Sequence, residues 1–211
     1  MAFNQFKTLA EVLKKYRIRF LRADFPTLTI HPAPEPLRDD ISFTLRYIPY
    51  DVSEAAICEN LIYPILKAAW RDYTDTLSLW SHQPIQANDT LAGIPDYLIA
   101  KRSEWGVIVL ETPYVAVVEA KRDDFSGGWA QCGLELYAIQ TINAAPHLPL
   151  YGIVSNGEIW EFAQLDQDCF TLYNQRCDIN DLDQLFSTLR VILERCKNAV
   201  ADVATTVAVT G

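Results

Sequence analysis

The chain has 211 residues, half of them hydrophobic, and a formal net charge of −9; this is enough for one domain with a real core. No apolar run reaches the eighteen residues of a membrane span, and the N-terminus lacks the apolar segment of a signal peptide, so a soluble, cytoplasmic protein with no membrane partner is expected. Five widely spaced cysteines without a Cys-x-x-Cys pair, and only three histidines, exclude a disulfide framework and a zinc site of the usual spacing.

In chain order, a helix is expected from Phe3 to about Tyr16, with Phe6, Leu9, Leu13 and Tyr16 on one stripe. Residues 1–22 carry Lys7, Lys14, Lys15, Arg17, Arg19 and Arg22 against Glu11 alone. This basic stretch either clamps a polyanion or solvates an amphipathic helix. The prolines of His31-Pro32-Ala33-Pro34-Glu35-Pro36 make an extended connector, and a short strand is expected over Ile41 to Tyr47. Asp51-Val52-Ser53-Glu54 reads as a capping box with Asp51 as N-cap, opening a helix to about Trp70 that Pro64 kinks.

Strands are expected at Leu77 to Ile85, Tyr97 to Arg102 and Tyr114 to Lys121, followed by a helix from Trp129 to Ile142 with Asp123, Asp124 and Ser126 as candidate caps. Leu150 to Val154 and Ile159 to Leu165 flank Asn156-Gly157, the signature of a hairpin with a type I′ turn. A strand near Phe170 to Tyr173 and a helix from Ile179 to Lys197 complete the elements. Residues 1–36 are expected to form a basic helical arm and connector, 37–197 the main domain, and 198–211 a flexible tail.

The chemistry concentrates in Pro95-Asp96 and Glu119-Ala120-Lys121. The two acids are 23 residues apart, the length of one long hairpin, and a turn near Val107 and Ile108 makes Asp96 and Glu119 cross-strand neighbours. Two carboxylates so placed repel by roughly 3 kcal/mol at ~5 Å and an effective dielectric of ~20. A bound cation removes that penalty. Alternation along Tyr114 to Lys121 puts Glu119 and Lys121 on one face and Ala116, Val118 and Ala120 on the other. Lys121 is then placed to orient an attacking water, to take its proton, or to neutralise a phosphorane; the residues alone leave all three open. A Walker loop, a dinucleotide-binding glycine motif and a Gly-x-Ser-x-Gly elbow are absent from the sequence.

The stretch Gly93-Ile94-Pro95-Asp96-Tyr97-Leu98-Ile99, followed by Tyr114 through Lys121, resembles the PD-(D/E)XK nuclease superfamily, whose fold is restriction-endonuclease-like. Glu59 to Leu66 resembles the helix that contributes a glutamate in many members, and Gly128-Trp129-Ala130-Gln131 the helix whose glutamine often faces the metal. The likeness spans Ser53 to Asp166 and is nearest to the N-terminal nuclease domain of type I restriction subunits. It departs at the fourth position after Gln131, where many relatives carry tyrosine and this chain carries Glu135.

The resemblance implies an α/β fold with a central mixed sheet flanked by helices, and a Mg²⁺ site that Mn²⁺ can fill, formed by Asp96, Glu119 and the Ala120 carbonyl. Lys121 would be catalytic, with Glu59 and Gln131 in support, although Glu59 also reads as a charge bordering the stripe of Ile57, Leu61, Ile65 and Leu66. The implied activity is hydrolysis of DNA in restriction or repair, with RNA as a chemically equivalent substrate. A homodimer would suit double-strand cutting. The alternative is a catalytically inactive subunit of the same fold that binds nucleic acid or a partner.

Overall fold

The computed structural model describes residues 6–26 and 29–210. Its first half comprises α1 (Leu9–Tyr16), β1 (Arg19–Ala23), α2 (Glu35–Tyr47), α3 (Glu54–Ile57), α4 (Tyr63–Trp70), β2 (Leu77–Ser81), β3 (Ile85–Asn88), β4 (Leu91–Gly93) and β5 (Tyr97–Lys101). The second half comprises β6 (Glu111–Ala120), α5 (Phe125–Asn143), β7 (Leu150–Ser155), β8 (Ile159–Asp166), β9 (Cys169–Asp178) and α6 (Leu182–Thr210). Seven strands form one mixed sheet in the order β1-β9-β8-β7-β6-β5-β2, and β3 and β4 form a separate small ribbon. The chain therefore has the expected α/β architecture, a central mixed sheet between helices.

Alternation along β7 sorts the layers. Gly152 faces Cys132, Leu136 and Trp129 of α5, whereas Ile153 shares a wall with Leu66 of α4 and Leu189, Ile192 and Leu193 of α6. Strands β6 and β7 are parallel and joined by α5, and α1 packs on the outside of α5. Tyr16 stacks on Tyr137 with ring centroids 4.2 Å apart. Because both faces of the sheet are covered, β6 and β7 are buried almost throughout, as their unbroken apolar runs require.

Several elements differ from the sequence reading, each for a local reason. Helix α1 starts at Leu9 because Thr8 and Glu11 form a reciprocal capping box; residues 3–5 of the expected helix lie outside the described residues. The stretch expected as a strand at Ile41–Tyr47 belongs to α2, which Pro34 and Pro36 start and which buries Leu37, Ile41 and Thr44 on one face. Strand β2 stops at Ser81 because His82 adopts a left-handed φ of 52°. At the β7–β8 hairpin only Gly157 has positive φ (88°). Instead of a type I′ turn, the Asn156 side chain accepts the N–H groups of Glu158 and Ile159.

The terminal segments belong to the main body. Strand β1 pairs in parallel with β9 from Arg19 opposite Cys169 to Ala23 opposite Tyr173, so the expected N-terminal arm contributes an edge strand. Helix α6, expected to end at Lys197, continues past Asn198, with Ala199 and Val200 buried. Among the described residues no helix is long and apolar enough to cross a membrane.

Gly152 sets the distance between α5 and the sheet. A Cβ there would stand 2.7 Å from Cys132 Sγ and 3.0 Å from Leu136 Cδ1, so Gly152→Ala is expected to lower stability by about 1–3 kcal/mol in urea unfolding. Adding Cys132→Ala should recover part of that loss.

Candidate active site

The expected adjacency of Asp96 and Glu119 is present. Tyr97 pairs with Val118 in the antiparallel β5–β6 ladder, so Asp96, one residue before β5, meets the end of β6. Its Oδ2 accepts the Ala120 N–H at 2.8 Å. Its Oδ1 lies 3.5 Å from His82 Nε2, while its own carbonyl accepts the His82 N–H at 3.0 Å. Burial raises the Asp96 carboxyl above the ordinary aspartate range, opposed by the Ala120 hydrogen bond and by Lys121 and His82.

Glu119 is completely buried, and neither of its carboxyl oxygens has a hydrogen-bond partner. One acidic neighbour is Glu135 of α5, also completely buried and with Oε2 lacking a hydrogen bond. Burial first, then the charge of Glu135 and that of Asp96, push the Glu119 carboxyl well above its usual range. Burial also lifts Glu135, to about 7, against the opposing influence of the adjacent Glu119 carboxyl and of the Gln131 hydrogen bond. The pair therefore retains protons that exposed glutamates would have lost.

Lys121 is the counter-charge. Its Nζ lies 3.5 Å from Glu119 Oε2 and 3.8 Å from Glu54 Oε2, and the side chain is only 16% exposed. Burial alone would favour the neutral amine, but Glu119, Glu54 and Asp96 together outweigh it and raise the lysine above its ordinary value. Gly128 lets the lysine pass: a Cβ at that position would stand 2.8 Å from Lys121 Cγ. Gln131 Nε2 donates to Glu135 Oε1 at 3.2 Å. Asp124 caps α5 by accepting the Gly127 N–H.

Of the residues singled out by sequence, the structure gathers Asp96, Glu119, Ala120, Lys121 and Gln131 at the ends of β5 and β6 and the start of α5. Glu59 lies apart from them. It is exposed at the start of a π-helical turn, Cys58–Ile62, and no hydrogen bond or ion pair among the described residues joins it to the group. Glu54 stands there instead. Ser53 rather than Asp51 is the N-cap, accepting the Ala56 N–H at 3.1 Å, so Glu54 is the first helical residue and turns towards Lys121. The π turn precedes Pro64, whose ring lacks an N–H; Tyr63 N–H reaches back to the Cys58 carbonyl, and the Tyr97 hydroxyl also donates to that carbonyl.

Glu54, His82 and Glu135 were missed. Finding Glu135 required only its place one turn beyond Gln131, whereas His82 depends on the pairing of Ser81 with Tyr97 across β2 and β5.

A cleft of about 420 Å³ opens on the group, lined by Phe6, Lys7, Glu54, Lys121, Asp124, Gly127 and Gln131. Lys7 brings the basic N-terminal stretch to its rim, while Arg19 is paired with Asp168 at 2.8 Å. Among the described residues no three His, Cys, Asp or Glu side chains form a ready-made metal cage. A hard divalent ion needs one or two carboxylates, with carbonyl and water oxygens completing its shell. Asp96, Glu119 and the Ala120 carbonyl could supply the protein's share, and the unpartnered oxygens of Glu119 are chemically suited to it.

The raised carboxyls have a measurable consequence. Between the ordinary glutamate range and about pH 7 the metal-free native chain holds more protons than the unfolded chain, so its stability falls as pH rises through that window. Urea unfolding in EDTA should show a loss on the order of 2–3 kcal/mol from pH 5 to pH 7.5. Glu135→Gln should lessen that slope, leaving the part due to the burial of Glu119. A comparison with models of known protein families gives no match for this chain, and a comparison with curated proteins gives none either.

Proposed function

We propose that this chain is a Mg²⁺-dependent phosphodiesterase that cuts DNA, of the PD-(D/E)XK type. The observation that carries this reading is the enclosure of Glu119 with both carboxyl oxygens unpartnered, beside Asp96 and within 3.5 Å of Lys121 Nζ. Without a compensating charge, such an arrangement costs stability. Asp96, Glu119 and the Ala120 carbonyl would hold the ion, which when bound supplies charge neutralisation and a more acidic water.

The chain's own groups divide the remaining work. Lys121, kept as an ammonium by its three acidic neighbours, donates hydrogen bonds to an attacking water and balances the charge of the phosphorane transition state. That protonation state argues against Lys121 as the base. Glu54 holds Nζ from the solvent side, Gln131 holds Glu135, and Lys7 at the rim offers a phosphate contact in an otherwise acidic body.

A second reading, a non-catalytic subunit of the same fold, is favoured by one observation: Asp96 Oδ2 is already engaged by the Ala120 N–H. The two part in a cleavage assay on single- and double-stranded DNA with Mg²⁺ or Mn²⁺. Wild type should cut. Asp96→Asn and Lys121→Met should each lower the rate by about 10²-fold or more, and Glu59→Gln should leave it unchanged. Gly128→Ala, which crowds Lys121, should slow cutting by about tenfold. Equal rates for wild type, Asp96→Asn and Lys121→Met would remove the nuclease assignment. Mg²⁺ binding without cleavage would favour the non-catalytic subunit.

A further inference from the structure

A larger cavity lies away from this site. About 780 Å³ in volume, it opens at the other end of the sheet, among the segment after α5, the start of β7 and the α6 helix. That is the size of a small-molecule pocket. Leu148, Pro149, Tyr151 and Ala199 give it largely apolar walls, and Gln164, Asn198 and Arg195 bring polar groups to it.

Arg195 is the informative residue. Half-buried on α6, its guanidinium lies 5.8 Å from the centroid of the Phe25 ring and beside the hydroxyls of Tyr151 and Tyr173. The Tyr173 hydroxyl donates to Gln164 Oε1 at 2.8 Å. Every one of these partners is neutral. Arg19, Arg38, Arg176 and Arg190 each meet a carboxylate, but Arg195 has no ion-pair partner among the described residues, in a chain with 27 acidic side chains. A partly desolvated guanidinium that makes no ion pair and meets only neutral hydroxyls and a ring, on the wall of a cavity, can receive an oxyanion.

We propose that this cavity binds a small organic anion, an apolar or aromatic body bearing one carboxylate or phosphate head that Arg195 receives. The apolar walls select the body. Asp202 on the lining and the net charge of −9 disfavour polyanions. The proposal is independent of the nuclease reading.

Titration calorimetry on the full chain, in EDTA to keep metal-dependent phosphate binding out, tests it with adenosine 5′-monophosphate and 1-naphthoate against adenosine and 1-naphthylmethanol. At least one anion should bind saturably, its uncharged counterpart about tenfold or more weaker, and Arg195→Met should weaken the anion by a similar factor. Which anion binds identifies the head group. Asn198→Glu, an exposed change that adds a negative charge at the rim, should also weaken it and decides the matter if Arg195→Met does not fold. No binding of either anion by wild type at millimolar concentration would overturn the proposal. So would wild-type affinity in folded Arg195→Met, or in Asn198→Glu.

Discussion

Glu119 is enclosed between β6 and α5 with neither carboxyl oxygen hydrogen-bonded, and an acid so placed is tolerated only while it keeps a proton or meets positive charge. The surroundings provide for both states. Burial and the neighbouring Glu135 favour the protonated form, Gln131 donates to Glu135, and Lys121 stands close enough to compensate the ionised form. A fully apolar position would have been the easier solution at the end of a buried strand. The presence of two acids and a lysine at this depth is therefore the strongest physical reason to look for function here.

Close packing makes the arrangement possible. Gly152 brings α5 down onto β7 and Gly128 leaves room for the lysine stem, so the helix carrying Gln131 and Glu135 lies directly over the strand carrying Glu119. The neighbouring antiparallel strand delivers Asp96, whose carboxylate is fixed by a main-chain N–H from the same strand end. Three consecutive elements, β5, β6 and α5, thus meet at one end of the sheet.

Much of this was legible from residue order. The 23-residue interval between Asp96 and Glu119 gave the hairpin, and alternation along Tyr114 to Lys121 gave the shared face of Glu119 and Lys121. What failed depended on register or tertiary context. Moving the N-cap from Asp51 to Ser53 and inserting a π turn exchanges Glu59 for Glu54. The Ile41 to Tyr47 segment alternates apolar and polar residues as a strand would, yet Leu37, Ile41 and Thr44 find a core at helical spacing and leave Phe43, Leu45 and Tyr47 outside. His82 became visible only once β2 was paired with β5, a long-range fact that local pattern does not contain.

The edge of the sheet has a consequence for how the molecule is made. Strand β1 is held by β9, its partner 150 residues later, and a contact of that sequence separation forms against a large loop-closure cost. During synthesis β1 must therefore wait for its partner until β9 has left the ribosome. The outward-facing arginines Arg19 and Arg22 carry the kind of charge that discourages a waiting strand from pairing with a neighbouring nascent chain.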